Sequence, residues 1–210
     1  EIRINGGSWT TSGTVNNGDT VQSRMRTSTN IATAHTATVT VGNESDDWST
    51  FGDPCGAASP VVGTRCVDGS IFAGDGNMFV TNVNQSSGIQ WSTETVNTGA
   101  DSYTDGEANQ QWIVANRNLN RYPAFQLCEN LNRHGHTDWY LPSRNELRDV
   151  LHPNRSAIGG FTNDRYWSST ETDSSNARWV VVNNGGSGSD RKDQWRGTPN
   201  NRDVRCVRRE

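Results

Sequence analysis

Short apolar and polar positions alternate through the first fifty residues. Ile2-Arg3-Ile4 and Thr36-Ala37-Thr38-Val39-Thr40-Val41 carry the two-residue period of half-buried strands, and Asn16-Asn17-Gly18-Asp19 has the residues of the turn that joins two of them. This stretch predicts β structure. Roughly four strands are few for an independent sandwich, because an unpaired outer strand exposes a sheet edge. Residues 1–50 are therefore expected to be part of a β-sandwich module, its first half preceding residue 1.

The period lengthens after residue 120. Pro123 suits a first helical turn, Ala124, Leu127, Cys128 and Leu131 recur at three- and four-residue steps, and Gly135 is a stop signal. Cys128 falls on the apolar face. A second helix is predicted from Ser143-Arg144-Asn145-Glu146, an S-x-x-E capping box, with Leu147, Val150 and Leu151 on one face and an end before Pro153. A capping serine typically contributes about 1 kcal/mol, which makes Ser143 and Glu146 structural rather than catalytic. Between these patterns, residues 51–100 are rich in turn formers. Gly74-Asp75-Gly76-Asn77 reads as a β-turn, since it lacks the ligand rhythm and terminal Glu of an EF-hand.

Composition narrows the picture. A chain of 210 residues with 31% hydrophobic content and 21 glycines suits two small domains with modest cores, divided as 1–50 and 51–210. A net charge of −4 without a long basic run argues against nucleic acid as a partner. No stretch approaches the roughly 20 apolar residues of a membrane span, so membrane association is expected only through regions outside this chain. Glu1-Ile2-Arg3-Ile4 does not resemble a signal peptide.

The four cysteines, Cys55, Cys66, Cys128 and Cys206, allow three pairings. Few lysines, many small polar residues and eight tryptophans point to an extracellular or cell-surface protein in an oxidising compartment, where disulfides persist. Zinc is disfavoured, because ten residues separate Cys55 from Cys66 and no second pair completes a tetrahedral set. A Cys55–Cys66 bridge would close a small loop and add roughly 3 kcal/mol.

Two resemblances follow. Asn5-Gly6-Gly7-Ser8-Trp9-Thr10, Val15-Asn16-Asn17-Gly18-Asp19-Thr20-Val21 and Thr40-Val41-Gly42 resemble the repeated immunoglobulin-like modules of large bacterial surface proteins. Cys128-Glu129-Asn130-Leu131, Gly135-His136-Thr137-Asp138-Trp139-Tyr140-Leu141-Pro142-Ser143, Tyr166-Trp167-Ser168-Ser169-Thr170-Glu171, Ala177-Arg178-Trp179-Val180 and Val204-Arg205-Cys206-Val207-Arg208 together resemble the bacterial DUF1566 domain. That family includes the C-terminal domain of the Legionella collagen-like adhesin and is related to C-type-lectin-like and formylglycine-generating-enzyme-like folds. The resemblance, over about residues 58 to 208, implies an α+β, C-type-lectin-like domain with two helices and a small twisted antiparallel sheet. It also implies a Cys128–Cys206 disulfide and places Tyr166, Trp167 and Trp179 on central strands as packing aromatics.

Neither calcium triplet of sugar-binding C-type lectins, Glu-Pro-Asn or Gln-Pro-Asp, is present, and Trp-Asn-Asp is absent as well. No cofactor and no metal are expected, and Asp190, Asp193 and Asp203 are the residues left for a differently built calcium site. The cysteines read as structural, so the enzymatic branch of the fold is set aside and no catalytic residue is assigned. His134-Gly135-His136 offers two imidazoles but lacks further ligands. Ser168 or Ser169 with His152 and Asp164 could form a triad on paper, without a G-x-S-x-G elbow.

The expected recognition surface is the polar stretch holding Asn183, Asn184, Ser187, Ser189, Asp190, Arg191, Lys192, Gln194, Trp195, Arg196, Asn200 and Asn201. Amides and guanidinium groups give adaptable and bidentate hydrogen bonding there, and Trp195 offers a stacking face. The expected function is an adhesin-like module that binds a glycan or protein on another surface. A structural subunit of an extracellular filament or phage particle is the alternative, and an enzyme of the formylglycine-generating-like fold a second one.

Overall fold

The computed structural model describes residues 1–24, 35–50, 53–56, 60–194 and 202–210. The chain falls into two compact units, Glu1–Ser59 and Pro60–Glu210.

In the first unit, β1 (Ile2–Ile4) pairs antiparallel with β2 (Val21–Ser23), and β3 (His35–Val41) with β4 (Glu44–Thr50). Gly42, at φ +64°, opens the two-residue turn between Val41 and Glu44, a position that favours a residue without Cβ. The turn expected at Asn16–Asp19 is present. The Asp19 carboxylate accepts from the Asn16 amide at 2.8 Å and from Asn5 Nδ2 at 2.7 Å, and these bonds hold it below its ordinary carboxylate range.

The second unit is α+β. Its larger sheet has the strand order β10-β9-β8-β11-β7, from Ser187–Arg191, Asn176–Val180, Arg165–Glu171, Arg202–Val204 and Ser86–Ser87. A smaller sheet orders β12 (Val207–Arg209), β6 (Met78–Val80) and β5 (Ile71–Gly74). The expected antiparallel sheet is corrected here: β11 runs parallel to β8, with Arg202 opposite Arg165 and Asp203 opposite Tyr166.

Strand alternation splits the core in two. Trp167 and Ala177 face a cluster with Trp91, Tyr122, Phe125, Cys128 and Trp139, whereas Tyr166 and Val180 face another with Met78, Leu147, Leu151 and Val207. Trp91 meets Phe125 edge-to-face at 4.9 Å and gives its indole proton to the Ser168 carbonyl.

Among the described residues, three α-helices replace the expected two. The additional α1 (Gly106–Asn116) is capped by Asp105, which accepts from the Ala108 amide at 2.9 Å. Helix α2 (Pro123–Glu129) starts with Pro123 in its first turn and buries Ala124 and Cys128 of the predicted stripe together with Phe125, whereas Leu127 is half-buried and Leu131 lies beyond the helix end. Cys128 is bonded to Cys206 across 78 positions of sequence, with Cα atoms 5.6 Å apart. Cys55 and Cys66 are disulfide-bonded as well, and no cysteine is free.

The helix predicted to stop before Pro153 continues. A π-helical turn over Glu146–Leu151 leads directly into α3 (His152–Ile158), with Pro153 in the first turn of α3. The His152 amide bonds Leu147 O, five residues back, and this wider ladder admits a proline that an unbroken α-helix would exclude. The helix ends at Gly159, φ +73°.

The capping box closes as the sequence predicts, and it does more. Glu146 Oε2 accepts from Ser143 N at 2.7 Å and from Gly106 N at 3.2 Å, so one carboxylate caps two helices. Its Oε1 accepts from Tyr140 OH at 3.0 Å and Arg209 Nη2 at 3.3 Å. Burial nevertheless pushes the carboxyl above its ordinary value. A Cβ on Gly106 would lie 2.5 Å from both Glu146 Oε2 and Ser143 N. Gly106→Ala is therefore expected to lower stability by about 1–3 kcal/mol through overpacking, read as a lower urea midpoint.

Candidate functional site

The β9–β10 connection is a tight turn. Val181 N donates to Gly186 O at 2.7 Å and Gly185 N to Val181 O at 2.8 Å. Gly185, at φ +76°, lies so close to the His152 ring that a Cβ would come within 2.7 Å of Nε2. His152 Nδ1 meets the Val182 carbonyl at 2.7 Å, fixing the turn on α3.

A second segment, residues 161–165, is built against this turn. Asn183 Nδ2 donates to Thr162 O at 2.9 Å and to Asn163 Oδ1 at 2.7 Å. Thr162 Oγ1 donates to Asp203 Oδ2 at 2.6 Å, which also accepts from Asn84 Nδ2 at 2.9 Å. Asp203 is fully buried, and its Oδ1 has no hydrogen-bond partner among the described residues. Burial, with the nearby Asp164 charge acting in the same direction, raises its carboxyl above the ordinary value.

Between the two segments lies an open cleft of about 320 Å³, lined by Asn163, Asp164, Arg165, Trp179, Val181, Asn184 and Gly186. Arg165 stacks 4.3 Å from the Trp179 ring and reaches Asp190 at 2.7 Å. Asp190 also binds Arg202. The Asp164 side chain makes no hydrogen bond or ion pair among the described residues, and Trp179 Nε1 has no acceptor among them. The sequence placed Trp179 among the packing aromatics. It packs against the first core cluster and is partly buried, with Gly188 opposite it on β10 leaving room for its ring at the sheet surface.

The sequence-expected recognition residues separate into groups. Asn183 and Asn184 form the turn, and Ser187, Ser189 and Arg191 project from the exposed positions of β10. Arg144 Nη2 donates to Ser187 Oγ at 3.3 Å, and Arg191 pairs with Asp193 at 2.8 Å. Gln194 is half-buried beyond β10, while Trp195, Arg196, Asn200 and Asn201 lie outside the described residues.

Lys192 is a correction. It is 0% exposed, and its Nζ donates to Glu171, to Val96 O at 2.8 Å and to Ser174 O at 3.1 Å, with the Trp91 ring 4.9 Å away. Glu171 in turn accepts from Thr98 N and Gly99 N. The lysine is a fully bonded internal ion pair and cannot meet a ligand.

The other candidate chemistries do not assemble. Asp190 pairs with the two arginines, Asp193 with Arg191, and Asp203 Oδ2 accepts from Thr162 and Asn84; the three carboxylates form no common cluster among the described residues. His134, at φ +59°, and Gly135 make a tight turn. Both imidazoles are held by Asp68, His134 through its carbonyl and His136 through its carboxylate at 3.0 Å. Ser168 Oγ donates to Arg178 O and His152 is held by Val182 O, so the paper triad has no nucleophile–base contact.

A buried carboxyl raised by its surroundings makes the wall sensitive to pH. Between 3.8 and the raised folded value, Asp203 holds its proton when folded and loses it when unfolded, so stability falls as pH rises through that window. Asp203→Asn is expected to flatten this slope, checked by urea unfolding at successive pH values from about 4 to 7.

These features define a disulfide-closed α+β domain whose connecting loops build a cleft at one edge of a mixed sheet. Residues 80–208 match the family model of the Lcl C-terminal domain, and the chain belongs to that family. The matched stretch contains both cysteines of the Cys128–Cys206 bridge and every residue of the cleft. No curated protein matches the chain. Its disulfides are compatible with an oxidising compartment, and no helix among the described residues is long and apolar enough to cross a membrane.

Proposed function

We propose that this chain is an adhesin-like binding module of a bacterial surface protein, and that it takes a glycan in the cleft between residues 161–165 and the β9–β10 turn. The cleft itself carries the reading. It sets an unpaired carboxylate, two side-chain amides and a partly exposed indole around a space of about 320 Å³, at the lower end of ordinary small-ligand sites. Hydroxyl-rich ligands need convergent acceptors and donors of this kind beside an apolar surface. Membership in the Lcl C-terminal domain family supports a surface role.

On this reading the second unit is C-type-lectin-like, which the clamp between α2 and the segment joining β11 to β12 supports. The paired strands of the first unit support a stalk of immunoglobulin-like modules, exposed outside the cell. Binding rather than catalysis is favoured because His134, His136 and His152 are each engaged in holding a turn.

The test is a glycan and protein array, probed with the whole chain and with an Asp164→Ala/Asn184→Ala variant. A loss of about tenfold or more in affinity for the same glycans supports the cleft, since two hydrogen-bonding groups at roughly 1 kcal/mol each amount to that much. Unchanged binding by the variant refutes it.

A further inference from the structure

We infer that Asn17 is a site of spontaneous covalent modification, where the side-chain amide becomes aspartate or isoaspartate, and that the fold shields Asn184 at the cleft from the same reaction. The chemistry is independent of what the cleft binds.

An asparagine followed by glycine carries its own nucleophile. The glycine amide nitrogen, after giving its proton to a solvent base, attacks the asparagine Cγ; ammonia leaves and a five-membered succinimide closes. Water then opens the ring at either carbonyl, giving aspartate or its β-linked isomer. Glycine has no Cβ to hinder the approach. The chain has three such pairs, Asn5-Gly6, Asn17-Gly18 and Asn184-Gly185.

Two of the three are locked. Asn184 Oδ1 accepts from the Gly186 amide at 2.8 Å, and the Gly185 amide, which would have to attack, donates to Val181 O at 2.8 Å. Asn5 is held at both ends of its amide: Oδ1 accepts from Thr20 N at 2.9 Å, and Nδ2 donates to Asp19 Oδ1 at 2.7 Å. Ring closure at either residue must break these bonds, because Cγ has to swing onto the following nitrogen.

Asn17 has neither restraint. With Gly18 it forms the exposed centre of the turn that the Asp19 amide closes on Asn16 O at 3.1 Å. Neither the Asn17 side chain nor the Gly18 amide makes a hydrogen bond among the described residues. Gly18 sits at φ +96°, so the residue that makes the pair labile is also the one the turn requires. Conversion places a carboxylate two positions from Asp19, and the β-linked product adds a methylene to a turn whose Asp19 and Thr20 hold Asn5. The first unit takes the change, while the amide of Asn184 keeps its chemistry.

The experiment incubates the whole chain in mildly alkaline buffer, folded and in parallel in concentrated urea, and follows the peptide carrying each pair by mass spectrometry for conversion of amide to acid. In the folded chain Asn17 should convert about tenfold or more faster than Asn5 and Asn184, each of which must open two hydrogen bonds. In urea the three rates should converge. Asp19→Ala removes the acceptor of Asn5 Nδ2, so it should speed Asn5 by about fivefold and leave Asn184 unchanged. Asn184 converting as fast as Asn17 in the folded chain, or Asn17 slowed by folding as strongly as Asn184, would overturn the assignment. An Asn5 rate unmoved by Asp19→Ala would overturn hydrogen bonding as the lock.

Discussion

Replacing Cys128 and Cys206 together with alanine is expected to lower the stability of residues 60–210 by about 4 kcal/mol. The two sulfurs close a loop of 78 positions, and chain-entropy estimates for a loop of that length give about 4.5 kcal/mol. Both side chains are fully buried, so their removal also strips contacts from the cluster around Trp91 and Phe125. Guanidinium unfolding under non-reducing conditions should show a clearly lower midpoint, with a slope equal or steeper because the uncrosslinked unfolded chain exposes more surface. A midpoint equal to that of the unaltered chain would mean that packing alone holds α2 to the carboxy-terminal strands.

Lys192→Met is the second large effect. Burial pulls the ammonium below its ordinary value, yet its three oxygen partners and the Trp91 face keep the charge paired inside. Removing it strands Glu171, which is 4% exposed and bonded to the Thr98 and Gly99 amides. Breaking one partner of a buried pair costs about 3–5 kcal/mol, because the remaining charge is left uncompensated. Combining Lys192→Met with Glu171→Gln should recover part of that loss. A double-mutant cycle by urea unfolding measures it, and strictly additive losses would show that the two side chains do not act as a pair.

Much of the second unit was legible because its signals are local. The capping box at Ser143–Glu146 and the apolar stripe of α2 depend on residues three and four apart; the box forms as read, and the stripe does for Ala124 and Cys128. Helix α1 was not legible. Of its eleven residues, Gly106, Asn109, Gln110 and Ile113 are buried, and the helix docks through amides: Asn109 to Ser102 and Ser169, Gln110 to Phe125 O and Leu141 N. An apolar period cannot report such a face. The parallel β8–β11 pair was equally hidden, since Arg202–Val204 is three residues long and two of them are charged. Pro153 misled because the π turn that accommodates it leaves no mark on the spacing of Leu147 and Leu151.

The site was half visible. Asn183 and Asn184 were expected in the recognition surface for their amides; Asn184 lines the cleft, and Asn183 bonds Thr162 and Asn163 beside it. Asp164, Asn163 and Trp179 come from other strands and loops, and only the sheet order brings them beside Asn184. Lys192 looked exposed because charged and polar residues surround it in sequence, but the chain turns inward there as β10 ends and delivers it to Glu171.

The order of the strands also sets when this unit can finish folding. β11 is inserted between β7 and β8, and β12 pairs with β6 from more than a hundred positions earlier, so neither sheet is complete until residues 202–209 have been synthesised. Such distant pairings carry a high contact order and close slowly. In a nascent chain, both sheets would stay incomplete until the final strands emerge and lock them shut.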